Sequence, residues 1–550
     1  MFAVDISSRG GPFAAIVLAL CMPVAGSGPN KFYPDDPVGK DPPPVSVDKV
    51  KHRALSDYYD LLKNTFYHLG ERNTESRFVS AKSVNTLGEV PDSPWYTNRI
   101  GKRPMTNEEL VRGPGNENGI AMGSSWNIVA PKSEGVTPGF LVQDSSGRFY
   151  QLKFDPLTNP EMSTAAEAIS SKFFYALGYN VHESYIVHFG RDQLQVGRRT
   201  MLLDRFGKKR AMTERDVTEL LLKAPRDKNG QFRAVASLYF DGKPVGEFRY
   251  FGTRSDDPND VIPHEHRREL RGLKVFCAWL DHDDSRAINT LDMLVEQNGQ
   301  RYLKHHLIDF GSTLGAASDR PNSPREGNAY LFAWKPAALQ FFSLGLYVPP
   351  WARVHYRKLP SVGRFEWQFF DPEKWVPQYP NPAFANCLPD DAFWAAKQVM
   401  AFSDDQIRAI VKVGDYSDPE AEKWVAECLI GRRDKIGRTY FARVLPLDHF
   451  AVRDGRLEFE DLSARHKLAG PEELTFRWLR FDNDTGQHTP LQGATSAALP
   501  AAIDESSPGA YFAVRIASGE EHKRVTVYLR KGVDSVQVVG IDRTWSERPS

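Results

Sequence analysis

The sequence predicts an α+β protein in two lobes, with an irregular N-terminal extension and a β-rich C-terminal module. Three observations predict it. Between about 121 and 250, strand patterns interleave with two helical ones. From about 251 to 447 most of the pattern is helical. The last hundred residues return to short strands cut by turns. The expected divisions are a signal peptide over 1–27, the extension over 28–120, a first lobe over 121–250, a second over 251–447 and the β-rich module over 448–550.

Each element follows from local chemistry. Arg9 precedes the apolar run Phe13 to Gly26, which is too short to span a bilayer and suits a secretory signal, so the mature chain is expected outside the cytoplasm, in the periplasm or beyond. Leu20, where a lipobox needs a small residue before Cys21, argues against lipidation. Residues 28 to 120 are rich in Pro, Asn, Asp and Gly, with one helix near "KHRALSDYYDLLKNTFYHLG" and with Trp95 and Tyr96 as anchors. "SWNIVAP" and "GFLVQD" read as strands around the turn "KSEGVTPG", Lys132 to Gly139. "RFYQLKFD" alternates, with Phe149, Gln151 and Lys153 on one face and Tyr150, Leu152 and Phe154 on the other. A helix follows, with Asn159 as its cap, Pro160 first and Gly178 past its end. "ESYIVHFG", "FRAVASLYF" and "GEFRYFG" read as strands, and "TERDVTELLLKA" as a helix. A long helix starts near His264 and buries Leu270, Leu273, Cys277 and Leu280; the charges of "HEHRRELRGLK" are expected on its solvated face. Ser403 caps another helix, and four strands in the final module suggest a small sandwich.

Bulk properties exclude more than they assign. Lys+Arg and Asp+Glu are both 70 in 550 residues, so no general attraction to nucleic acid or anionic lipid is expected. No later segment is long and apolar enough to span a membrane. Four widely spaced cysteines make neither a disulfide scaffold nor a zinc site.

The stretch "LDHDDSRAIN" crowds Asp281, Asp283 and Asp284 at a helix C-terminus, where the dipole disfavours acids, so a positive partner is expected there. His282, Asp284, Arg286 and Asn289 have the form H-x-D-x-[K/R]-x-x-N, and Asp309-Phe310-Gly311 ends a strand twenty residues on. This pair resembles the catalytic loop and metal-binding motif of the protein-kinase-like superfamily. The resemblance implies ATP and Mg²⁺ as cofactors, Asp284 as base, Arg286 as neighbouring cation, and Asn289 and Asp309 as metal ligands. It further implies that Lys153 grips the phosphates and pairs with Glu167 of the next helix, beneath a loop carrying Gly135 and Gly139. Residue by residue, the glycine turn departs from G-x-G-x-x-G, and the spacing from Asn289 to Asp309 is long. The chain therefore resembles an atypical branch, similar to HipA, to spore-coat CotH kinases or to secreted Golgi kinases, and as a whole it is similar to bacterial envelope proteins with a "KFYPDDP" start.

The implied activity is transfer of a phosphoryl or nucleotidyl group to a protein, lipid or small-molecule acceptor. Two alternatives stand beside it. His264, His266, His282, Asp283, His305, His306 and Asp309 supply ligands for a metal-dependent His/Asp hydrolase. A non-catalytic envelope scaffold on a degenerate kinase frame is the other. Glu167 also has a second reading, as the fourth residue of a capping box begun by Thr164.

Overall fold

A computed structural model describes residues 30–67, 79–115, 119–132, 137–203, 206–344, 346–519 and 522–545. The expected signal peptide and Gly135 lie outside them.

The extension carries α1 (Asp57–Tyr67) and α2 (Asn107–Arg112). The second was not legible as periodicity, being six residues long, although Thr106 and Glu109 form a full capping box at its start. The first lobe is built on β1 (Trp126–Pro131), β2 (Gly139–Gln143) and β3 (Phe149–Lys153), followed by α3 (Met162–Ala176), β4 (Ser184–Phe189) and β5 (Leu194–Val196). A small hairpin, β6 (Met201–Leu203) and β7 (Lys209–Ala211), leads to α4 (Glu214–Leu221) and β8 (Phe232–Leu238). The sheet order is β4-β8-β3-β2-β1-β5. The alternation in β3 sets its two faces. Tyr150 and Leu152 join Trp126, Phe140, Phe154 and, from α4, Val217 in one core, while Lys153 looks to the opposite side and α3.

The second lobe holds β9 (Lys243–Pro244), α5 (Arg268–Leu280), the hairpin β10 (Thr290–Gln297) and β11 (Gln300–Leu307), α6 (Trp334–Phe342), α7 (Pro382–Ala385), α8 (Pro389–Met400), α9 (Asp404–Val411) and α10 (Pro419–Phe441). Its core continues through α3: Phe173 meets Trp279 and Phe402, and the whole of α3 except Tyr175 is buried. The final module is a five-stranded sheet made by β14 (Thr475–Phe481), β15 (His488–Pro490), β16 (Tyr511–Ala517), β17 (Arg524–Lys531) and β18 (Val536–Thr544). The hairpin of β12 (Leu447–Arg453) and β13 (Arg456–Asp461) shares its core through Leu447 and Leu457.

Three local expectations are corrected. The cap of α3 is Glu161, in the left-handed conformation, because Asn159 instead donates to the Pro360 carbonyl at 2.9 Å. "GEFRYFG" is not a strand: Gly246, at φ +93°, makes an isolated bridge with Arg53 and lies so close to it that an added Cβ would stand 1.7 Å from that carbonyl oxygen. The arginines of "HEHRRELRGLK" are buried rather than solvated. Arg268 and Arg271 reach Asp391 at 2.8 and 3.2 Å, and Arg267 reaches Asp260 at 3.3 Å, so carboxylates from other elements replace water.

The "KFYPDDP" start has a structural task. Phe32 lies on the final sheet, 5.8 Å from Tyr511 in a stacked pair and 5.1 Å from Tyr528. Asn483 holds its backbone on both sides at 2.9 Å, and Gly540 makes room for the ring. Phe32→Ala should cost about 3 kcal/mol of local stability. Limited proteolysis around residues 30–40, much faster than in the wild type, is the expected result; unchanged protection would show that the ring is not the anchor.

Candidate active site

Lys153 ends β3, and Gly139 faces it in register across β2. Its ammonium lies 3.0 Å from Glu167 Oε2 and 2.9 Å from Asp309 Oδ1. Glu167 is 1 % exposed, whereas the Asp309 side chain keeps 39 % exposure. Burial alone would lower the Lys153 pKa, but the two carboxylates outweigh it and raise it. In return the Lys153 ammonium holds the Asp309 carboxyl down at about 2.

The end of α3 nearest Lys153 is fixed from several sides. Asp155, just after the lysine, accepts from the Thr164 amide at 2.8 Å and from its hydroxyl at 2.7 Å. Arg233 of β8 donates to that hydroxyl at 3.0 Å and to the carbonyls of Gly414 and Asp415. Thr164 is thus held by Asp155, and Glu167 faces Lys153 rather than closing a capping box.

The twenty-residue gap between Asn289 and Asp309 is closed by a hairpin. Thr290 pairs with Leu307, so the residues on either side of β10–β11 meet at its open end. The Ile308 amide donates to the Asn289 carbonyl at 3.0 Å. Asn289 Nδ2 donates to the Asp284 carbonyl at 2.7 Å, which leaves its Oδ1 as the atom available to a cation. Asp309 has φ +63°, a conformation that costs a non-glycine residue energy and that the Lys153 contact helps to hold. Phe310 is buried, stacked on Phe174 of α3 at 4.7 Å and 5.9 Å from the His282 ring. An added Cβ on Gly311 would stand 2.8 Å from Ser163 Oγ, so α3 packs directly on this turn.

Asp284 is paired with Arg286 Nε. Burial raises its carboxyl pKa, with the arginine opposing the rise. The second nitrogen group of Arg286 meets Asp57 of α1, and Tyr379 donates to the same carboxylate at 3.0 Å. Asp57 and Tyr379 carry no local sequence signal, since only the fold brings them to the loop that holds Asp284 and Arg286. The positive partner expected beside Asp281, Asp283 and Asp284 is present for two of them, Arg432 at Asp281 and Arg286 at Asp284. Asp281 accepts from Trp375 at 3.2 Å and faces Arg432 at 3.5 Å. Asp283 is buried beside Asp281, Asp284 and Glu326, and desolvation first, then those charges, raise its pKa well above the carboxylate range.

Of the two glycines expected in a phosphate loop, one is placed by the structure. Gly135 lies outside the described residues. Gly139 is the first residue of β2, not a loop residue, because its bare Cα fits against β3, where an added Cβ would lie 2.2 Å from the Leu152 carbonyl oxygen. Lys132, which the sequence reading passed over, lies across that glycine and donates to Thr137 Oγ1 at 2.8 Å. The hydrolase ligands are dispersed. His264 is held by Asp260, His305 by Asp292, and His282 by the Ser312 carbonyl. Among the described residues no three His, Cys, Asp or Glu side chains gather to hold a metal.

No protein-family model matches the chain, and no curated protein matches it. Among solved structures it is similar to a Helicobacter pylori proinflammatory kinase, CtkA, at 12 % identity and TM-score 0.32, covering 58 % of this chain and 97 % of that one. It is also similar to the Golgi casein kinase at 9 % identity and TM-score 0.29, covering 74 % and 96 %. A second structure of the Golgi casein kinase, with Mn/ADP bound, gives 9 %, 0.27, and coverage of 75 % and 98 %. At such identities and scores the likeness carries no argument, and function rests on the geometry of the site itself.

Proposed function

We propose that the chain is an atypical kinase-like phosphotransferase that binds a divalent-metal nucleotide between its lobes and passes a phosphoryl group to a hydroxyl acceptor. The observation that carries this reading is the single ammonium of Lys153 held by both Glu167 and Asp309, residues from a helix and from a distant strand end. Nothing in the packing of a hydrophobic core calls for that triad. Lys153 suits nucleotide phosphate oxygens, and Glu167 orients it. Asp309 and Asn289 form an all-oxygen donor set that suits Mg²⁺, with phosphates and waters as further ligands. When bound, the metal neutralises charge on the phosphate oxygens. Asp284 orients the acceptor hydroxyl and takes its proton, a role its raised pKa favours. Arg286 fixes that carboxylate's direction. The phosphoryl group leaves the nucleoside diphosphate and bonds to the acceptor oxygen. This reading sits with the HipA, CotH and Golgi-type branches whose motifs the sequence resembles.

One observation favours the scaffold alternative. Arg286 is gripped by Asp57, so the proposed base lies behind an ion pair supplied by the extension.

Asp284→Asn separates the readings. It should leave ATP affinity within about two-fold and lower turnover by at least a hundred-fold, because the role lies in the chemical step. Isothermal titration with Mg²⁺ or Mn²⁺ and ATP, beside an assay of ATP consumption, gives both numbers. Metal-dependent binding without turnover in the wild type would favour the scaffold; turnover unaffected by Asp284→Asn would remove Asp284 from the chemistry.

A further inference from the structure

We infer that the segment around α6, together with the outer face of α1, docks on an anionic lipid surface. Residues 329–352 contain one charged residue, Lys335, in twenty-four. Phe341, Phe342, Leu344 and Leu346 are 76, 82, 92 and 86 % exposed. The two phenylalanines alone, at roughly 200 Å² each, present about 300 Å² of ring, as much as the whole largest apolar patch on many soluble monomers. The patch is wider than one loop. Phe66 of α1 meets Phe332 at 5.2 Å, and Tyr58 and Leu62 are exposed on the same short helix.

The shape and the flanking charges select the occupant. These side chains stand out from the surface rather than line a groove, so their partner has to surround them. Fluid hydrocarbon does this without a matched pocket. A spanning role is excluded by length: α6 has nine residues, about 14 Å at 1.5 Å per residue, and no described helix is long and apolar enough to cross a membrane. The sequence brackets the run with Tyr330, Trp334, Tyr347 and Trp351, the residue types favoured at the headgroup level. Immediately after it come the exposed Arg353 and Lys358, placed to meet anionic headgroups. The chain's zero net charge makes this local arrangement the source of any attraction.

The segment is tied to the rest of the molecule at its root. The Leu331 amide donates to the Gln378 carbonyl at 2.6 Å, and the Gln378 amide donates to the Asp283 carbonyl at 2.9 Å. Docking would therefore set the catalytic loop close to the lipid surface. The inference does not depend on nucleotide chemistry, and its test makes no use of ATP.

The test is flotation of the full chain with vesicles of phosphatidylcholine and phosphatidylglycerol at 3:1, and with phosphatidylcholine alone. The wild type should float with the anionic vesicles and several-fold less with the neutral ones. Phe341→Asp combined with Phe342→Asp should weaken flotation at least ten-fold with an unchanged melting temperature, since both rings are exposed. Lys358→Glu should weaken it only on anionic vesicles. Wild type that stays with the soluble fraction, or a double variant that floats equally well, would overturn the inference. So would a dimer in light scattering that the double variant dissolves without any vesicle binding by the wild type, which would assign the face to a second copy.

Discussion

Asp309→Asn should abolish metal–nucleotide binding while leaving the fold intact. Asparagine is the informative replacement because it tolerates the left-handed backbone that Asp309 adopts at φ +63°, where alanine would add about 1 kcal/mol of strain. The buried ammonium of Lys153 keeps Glu167 as counter-ion, so no charge is stranded. The chemical loss is the carboxylate proposed to face the metal. The pH dependence has a definite sign. Asp309 is held at about 2, below the ordinary value of 3.8, so its pairing stabilises the native state above about 4 and that contribution disappears as pH falls toward 2. The variant should lack this part of the acid-unfolding profile. Titration calorimetry and acid melts on the two proteins check both statements. Equal affinity for ATP with Mg²⁺ would show that the Asp309-Phe310-Gly311 turn does not hold the nucleotide's metal.

Glu167→Ala should damage stability and binding together. Glu167 is almost fully buried, and its removal leaves Lys153 with one, partly exposed partner. The expected cost is about 3 kcal/mol, against roughly 0–1 for a surface pair. ATP affinity should fall as well, since the lysine would follow Asp309 alone. Thermal melts and titrations measure the two effects. A change within 0.5 kcal/mol, with unaltered affinity, would mean that the contact contributes to neither.

The two effects also show what the sequence carried. Motif residues on regular elements were legible, because strand alternation places Lys153 and a helix places Glu167 fourteen residues later. Gly139 was not, since a glycine in "KSEGVTPG" reads alike whether it serves a loop or a close strand contact. At Gly139 the close contact with Leu152 won. The buried arginines of α5 were misplaced because periodicity reports spacing and is blind to Asp390 and Asp391 more than a hundred residues away. The grip of Asp57 and Tyr379 on Arg286 was invisible for the same reason. Asp309 and Asn289 could be named together from the sequence, but their meeting depends on the β10–β11 register, which only the structure supplies.

The seating of Phe32 on the final sheet orders the making of the protein in time. Gly540, which shapes that seat, is translated 508 residues after Phe32. At about 5–20 residues per second the interval is roughly 25–100 s. For most of it, until Phe481, Tyr511 and Tyr528 are made, the ring has no native partner, and a sticky segment would find a wrong one. Its neighbours Pro34, Asp35, Asp36 and Pro37 resist both strand pairing and collapse. The same residues that make the start of the chain look featureless keep it available until its seat exists.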